Sequence, residues 1–267
     1  MSNYPEHRAR KRFGQNFLRD GGIIDRIHRA VRPQSGDAVV EIGPGQGALT
    51  EHLASSGADL TLVELDRDLV AILELQLEKH PHVCIIQADA LKTDFGALHP
   101  DKPLRIIGNL PYNISTPLIF HLLSFHGRIA DMHFMLQKEV VDRLAAKPNT
   151  KAYGRLSLMT QYYCEVESLF DVPPEAFSPR PKVQSAVVRL RPHATLPCAA
   201  DDVSHLQAVL RAAFNQRRKT LRNALRTIAS AEQLDAVGID PGARPETLAL
   251  SDYVRIANAT AATTGDT

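Results

Sequence analysis

Apolar residues along this chain fall into short continuous runs separated by stretches with helical spacing. The runs are AVVEIG (38–43), LTLVEL (60–65), VCIIQA (83–88), LRIIGN (104–109) and MHFML (132–136). They are rich in Val, Ile and Leu and do not alternate with polar residues. Strands buried on both faces of a parallel sheet have this pattern. Between them lie ALTEHLASSG, DLVAILELQLEKH and STPLIFHLLSFHG, whose apolar residues recur at helical spacing. The repeated β-α order predicts an α/β fold, doubly wound around a mostly parallel sheet. After Gln137 the rhythm changes. QKEVVDRLAAK and YGRLSLMTQYY predict helices, and VESLFDV and QSAVVRLR predict two strands joined by the Pro-rich PPEAFSPRPK. These two strands suit an antiparallel hairpin at the sheet edge. From about His193 only helical patterns remain: DVSHLQAVLRAAFNQ, RKTLRNALRTIA, AEQLDAVG and SDYVRIANA. The expected organisation is an α/β domain over residues 1–192 and a small all-helical domain over 193–267.

The 267 residues suffice for a full core, and 44% apolar with 23% charged residues is ordinary for a globular chain. A net charge of +1 carries no signal for nucleic acid, so any basic footprint must come from clustering. Cys84, Cys164 and Cys198 are odd in number, far apart and without a CxxC. This disfavours a disulfide framework or a zinc site and favours a reducing compartment. No apolar run approaches 18 residues, and the N-terminal MSNYPEHRARKRF lacks the apolar core of a signal peptide. A cytoplasmic protein without a membrane segment or a metal is expected. His28, His52 and His121 read as helix-surface positions.

The first strand runs into Glu41-Ile-Gly43-Pro-Gly45-Gln-Gly47. Glycines at a strand-to-helix turn let backbone approach a ligand closely, although a plain tight turn has the same signature. The spacing is GxGxG rather than the GxGxxG of dinucleotide sites. Glu64 ends the second strand, where a carboxylate suits two ribose hydroxyls. Asp89 follows the third strand and suits an adenine amino group. Asn109 follows the fourth. All four positions fall at carboxyl ends of consecutive strands, where ligands bind in open α/β sheets. They describe a nucleoside cofactor without phosphates.

This set resembles the class I S-adenosylmethionine-dependent methyltransferases, and Asn109-Leu110-Pro111-Tyr112 resembles the Asn/Asp-Pro-Pro-Tyr motif of enzymes that methylate exocyclic amino groups of bases. The N6 amino group of adenine is a poor nucleophile because its lone pair is delocalised into the ring. Two acceptors, one per N–H, favour a pyramidal nitrogen with a localised lone pair. The Asn109 side-chain oxygen and the Leu110 carbonyl are the candidates, with Pro111 fixing the chain. Tyr112 suits stacking on the base. The resemblance further implies that Phe177, opening a segment that resembles a loop facing the target base, is the second ring of an aromatic sandwich around a flipped adenine.

Five blocks narrow the resemblance: KRFGQNFLRD (11–20), EIGPGQGALT (41–50), GNLPYNIST (108–116), FSPRPKVQSAVVRL (177–190) and FNQRRKTLRNAL (214–225). Together they resemble the small-subunit ribosomal RNA adenine dimethyltransferases. The resemblance implies a Rossmann-like domain that binds S-adenosyl-L-methionine and a helical RNA-recognition domain. It implies N6-dimethylation of two adjacent adenosines in the loop of the hairpin near the 3′ end of 16S rRNA, within the (pre-)30S subunit, by a monomer. It also implies cofactor contacts at Asn16, Leu18, Gly43, Glu64, Asp89 and Asn109, beside the glycines Gly45 and Gly47. QNFL would close over the methionine end. The alternatives are the related 23S rRNA dimethyltransferases of antibiotic resistance and an assembly factor that mainly binds RNA.

Basic clusters supply the RNA candidates. On a continuous helix over 211–226, Arg211, Arg218, Lys219, Arg222 and Arg226 share one face and Leu210, Phe214, Leu221, Leu225 and Ile228 lie on another, with Arg217 off the pattern. No acid interrupts this stretch, which favours a phosphate track. Arg8, Arg10, Lys11 and Arg12 form a second cluster. Arg180 and Lys182 lie in the Pro-rich connection, near the substrate in the resembled family.

Overall fold

The computed structural model describes residues 15–216 and 218–261. The chain forms two compact units. Residues up to Val141 join Val166–Pro192 in the first, and Asp142–Glu165 join the residues from His193 onward in the second.

The first unit is built on a seven-stranded sheet. Its strands are β2 (Ala38–Ile42), β3 (Asp59–Glu64), β4 (Cys84–Gln87), β5 (Leu104–Asn109), β6 (Ile129–Gln137), β7 (Cys164–Val172) and β9 (Ser185–Pro192), in the order β4-β3-β2-β5-β6-β9-β7. The first five strands in that order are parallel, and β9 runs antiparallel to β6. All seven predicted strands are present. The continuous apolar runs are buried as expected, with every residue of β2 inaccessible. A second, two-stranded sheet pairs β1 (Phe17–Leu18) with β8 (Phe177–Ser178).

Helices α1 (Gly21–Val31), α2 (Thr50–Ala54), α3 (Arg67–Gln76), α4 (Ser115–Leu123) and α5 (Lys138–Leu144) follow or join the strands. α1 starts where the Asp20 carboxylate accepts from the Ile23 amide at 3.0 Å, and it buries Ile23, Ile27 and Val31, each one turn apart. α3 is capped in the same way by Asp66, which accepts from the Asp68 amide. The sheet order reverses between β3 and β5 on either side of β2. That makes the carboxyl end of β2 a topological switch point, where open α/β sheets leave a crevice.

The second unit contains α6 (Arg155–Tyr163), α7 (Val203–Phe214), α8 (Leu221–Ala224), α9 (Ala231–Ala236) and α10 (Leu250–Thr260). The chain enters the second unit twice, over residues 142–165 and again from His193. The reason is packing: α6 contacts α7 and α10, the Tyr153 ring stands edge-on to Phe214, and the Tyr153 hydroxyl donates to the Leu248 carbonyl at 3.0 Å.

The continuous basic helix expected over 211–226 does not form. α7 ends at Phe214 and α8 begins only at Leu221, after extended backbone at Thr220. The first amides of α8 are taken by another loop: Leu221 N–H donates to the Ala243 carbonyl and Arg222 N–H to that of Pro241, both at 2.9 Å. These tertiary bonds, with adjacent cations at 218 and 219, outweigh helical continuation. Arg218, Lys219, Arg222 and Arg226 remain exposed, but not as one helical stripe.

Candidate functional site: a carboxylate-lined cavity beside an Asn-Leu-Pro-Tyr loop

A cavity of about 290 Å³ opens at the switch point, bounded by the ends of β2, β3 and β5, the turn after β4, and residues 15–18. Asn16, Leu18, Gly43, Gly45, Glu64, Asp89, Asn109, Leu110, Pro111 and Tyr112 all line it. Gly47 and Phe177 do not. Gly47 instead lets the loop meet α3: a Cβ there would come within 2.9 Å of Gln76 Oε1. Phe177 is 5% exposed and packs in the core with Leu18, Ile23 and Ile27. In the extended β8, side chains alternate in direction, so Phe177 points inward and Ser178 outward. Phe177 therefore does not line this cavity beside Tyr112.

Glu64 is nearly buried. Its Oε1 accepts from the Asp66 amide at 2.9 Å and its Oε2 from the Gly45 amide at 3.3 Å. Burial raises its pKa, against the lowering effect of these two bonds. Asp89 uses one carboxylate oxygen to accept from the Leu91 amide at 3.0 Å, fixing the turn after β4.

Glu41 is a further acid of the site, beyond those the strand ends single out, and its place two residues before Gly43 is a usable signal for it. Glu41 lines the cavity, fully buried, and accepts from the Thr50 hydroxyl at 2.7 Å. Burial pushes its carboxyl up to about 7, with Thr50 opposing and Glu64 adding to the rise. Glu41, Glu64 and Asp89 thus converge on one space, and among the described residues no Lys or Arg lines it. This donor set fits a cationic nucleoside such as S-adenosylmethionine and is unsuited to a ligand carrying phosphates.

Residues 15–19 strap one side of the cavity. Asn109 Nδ2 donates to the Asn16 carbonyl at 3.0 Å, Gln15 Nε2 to Asp66 Oδ2 at 3.4 Å, and Arg19 Nη2 to Gln46 Oε1 at 2.5 Å. The Phe17 ring covers Gly45, where a Cβ would lie 3.1 Å from Cδ1 and the backbone φ is +60°. Only glycine combines that conformation with that approach.

The Asn109–Tyr112 loop has a defined polarity. With the Asn109 nitrogen committed to Asn16, the amide oxygen is its remaining acceptor. The loop's own hydrogen bonds use the carbonyls of Pro111 and Tyr112, which accept from Ile114 N–H and Ser115 Oγ, and not that of Leu110. The Tyr112 hydroxyl lies 2.9 Å from Ser185 Oγ.

A family model described as "Ribosomal RNA adenine dimethylase" matches residues 6–262. The chain belongs to that family. Among its relatives, a "Ribosomal RNA small subunit methyltransferase A" of Marinobacter nauticus is 59% identical over 97% of this chain and 94% of its own. A protein of the same name from Hahella chejuensis is 60% identical over 94% of this chain and 93% of its own. Among solved structures, a dimethyladenosine transferase from Plasmodium falciparum is 25% identical with a TM-score of 0.78, covering 90% of this chain and 95% of that one. The 23S rRNA methyltransferase ErmE is 26% identical with a TM-score of 0.71, covering 92% and 99%. The doubly wound methyltransferase fold of the first unit is that of these relatives.

Of the RNA candidates, Arg10, Lys11 and Arg12 lie outside the described residues. Arg180 and Lys182 are exposed, and Arg180 pairs with Glu175. No helix of the described residues is long and apolar enough to cross a membrane.

Proposed function

We propose that this chain dimethylates the N6 amino groups of two adjacent adenosines in the loop of the hairpin near the 3′ end of 16S rRNA, in the (pre-)30S subunit. The observation that carries the reading is the Asn109 amide, oriented by the Asn16 carbonyl beside a cavity of three carboxylates. Bound there, S-adenosylmethionine supplies an electrophilic methyl group. The chain's own residues hold the target base. Asn109 Oδ1 and the Leu110 carbonyl each accept one N–H of the amino group, which frees the nitrogen lone pair from the ring. Tyr112 stacks on the base and excludes water. As the new N–C bond forms, positive charge develops on nitrogen and both acceptors bind it more strongly than in the ground state. The proton is then lost from an acidic nitrogen, so no strong base is needed. Glu64 takes the ribose hydroxyls and Asp89 the adenine of the cofactor. Arg180, Lys182, Arg218, Lys219, Arg222 and Arg226 contact RNA phosphates.

Small-subunit RNA is favoured over 23S rRNA by the 59–60% identity to relatives named for the small subunit, against 26% to ErmE. Transfer of labelled methyl groups to under-methylated small and large subunits, run in parallel, tests this. Label in N6,N6-dimethyladenosine of the small subunit is expected. Label only in the large subunit, or binding without transfer, contradicts it.

A further inference from the structure

Tyr112 belongs to a loop, whereas its hydroxyl partner Ser185 belongs to the sheet. Ser185 is the first residue of β9, wholly buried, and paired with Gln137 at the end of a six-pair antiparallel ladder with β6. The backbone position of Ser185 is therefore set by the ladder. Its Oγ at 2.9 Å from the Tyr112 hydroxyl ties the far end of the ring to that fixed point, while the loop holds the near end. The ring is half-buried, whereas Ser185 is wholly buried, so loss of the bond leaves the Ser185 hydroxyl without a solvent partner.

We propose that Ser185 is the positioning residue of the Tyr112 ring, and that its contribution is greatest in the second of the two methylations. The inference rests on the adenine-dimethylation reading above. In the first round the amino group offers two N–H donors to two acceptors, Asn109 Oδ1 and the Leu110 carbonyl. That round replaces one N–H by N–CH3. In the second round one N–H remains, one acceptor goes unpaired, and the methyl group must be accommodated where a hydrogen bond was. Hydrogen bonding then orients the base less, and the plane of the stacked ring orients it more. A ring released at its hydroxyl end therefore penalises the second transfer more than the first.

Nucleoside mass spectrometry of small-subunit rRNA across a single-turnover time course, separating N6-methyladenosine from N6,N6-dimethyladenosine, tests this in the full-length protein. Ser185→Ala is expected to slow the second transfer about three- to tenfold more than the first, the size of one hydrogen bond, so that monomethyl product accumulates. Tyr112→Phe deletes the same bond without touching β9 and is expected to shift the ratio in the same direction. The double variant should be no worse than the poorer single, because one interaction is removed in all three. Ser185→Thr, which keeps a hydroxyl, should restore the wild-type ratio. Equal slowing of both transfers, or a double variant that multiplies the single effects, overturns the positioning role. If Ser185→Ala fails to fold, an unchanged product ratio in Tyr112→Phe overturns it alone. Absence of any adenine methylation by the wild type overturns the underlying reading instead, a result distinct from a normal wild type with an unshifted variant.

Discussion

At the amino ends of its strands the sheet holds a cation that is fully answered. The Arg105 guanidinium on β5 contacts Asp131 on β6 at 2.9 Å and Asp37, just before β2, at 2.7 Å, and it donates to the carbonyls of Val31 and Arg32. At the carboxyl ends of the same strands the balance is reversed. Glu41, Glu64 and Asp89 gather around a cavity with no cationic side chain among the described lining residues. Charge partly withdrawn from water is tolerable when paired, as at Arg105. At the cavity the acids are met by neutral donors instead, the Thr50 hydroxyl and the amides of Gly45, Asp66 and Leu91, and burial keeps a proton on Glu41 up to about pH 7. One end of the sheet closes its charges internally, and the other presents the acids that the proposed S-adenosylmethionine site requires.

The largest effect of disturbing this division is expected at Arg105. Arg105→Met takes the shared cation from Asp37 and Asp131, leaving Asp131 with only His133 at 3.5 Å, and is expected to cost about 3 kcal/mol in unfolding free energy by urea titration, with cofactor affinity unchanged in the folded fraction. A loss of cofactor affinity without a loss of stability would reverse the assignment of the two ends. Glu41 probes the other end. Its ordinary value of 4.5 is raised to about 7 in the fold, so between these values the native state holds a proton that the unfolded chain has lost. Stability of the cofactor-free protein should therefore fall as pH rises from 4.5 to about 7 and level off above, by about 3 kcal/mol at most. Glu41→Gln should remove most of that fall, leaving a smaller one of the same sign from Glu64. Calorimetric melting across this window checks it, and an identical slope in the variant contradicts it. The smallest effect is expected at Glu64. Glu64→Ala should weaken S-adenosylmethionine by about 1.5–3 kcal/mol in titration calorimetry, the value of a charge-assisted contact. Unchanged affinity would remove Glu64 from the ribose.

The strands and their terminal acids are legible in the sequence because their signals are local. A continuous Val/Ile run needs both faces covered, and an acid directly after it falls at a strand end. What escapes depends on distant partners. β1 and β8 are two residues each and pair across most of the first unit, so neither carries a period of its own. The inward direction of Phe177 follows from that pairing. The break between α7 and α8 is set by the carbonyls of Pro241 and Ala243. The place of residues 142–165 follows from Tyr153 and α6 packing in the helical unit. Gly108 shows the same limit within a motif: a Cβ there would lie 2.6 Å from the Ile42 carbonyl, a contact visible only once β2 and β5 are adjacent.

The proposed chemistry turns on the Asn109 amide, which the Asn16 carbonyl orients so that its oxygen meets the amino group being methylated. The decisive measurement is single-turnover methylation of under-methylated small subunits at saturating S-adenosylmethionine, with wild type, Asn109→Ala and Asn109→Asp. Removing an acceptor that acts in the transition state should slow Asn109→Ala by about 100-fold or more, with RNA affinity little changed. Asn109→Asp keeps an acceptor but sets a carboxylate against the Asn16 carbonyl, and should also be slow. Near-normal turnover in Asn109→Ala would contradict the acceptor role.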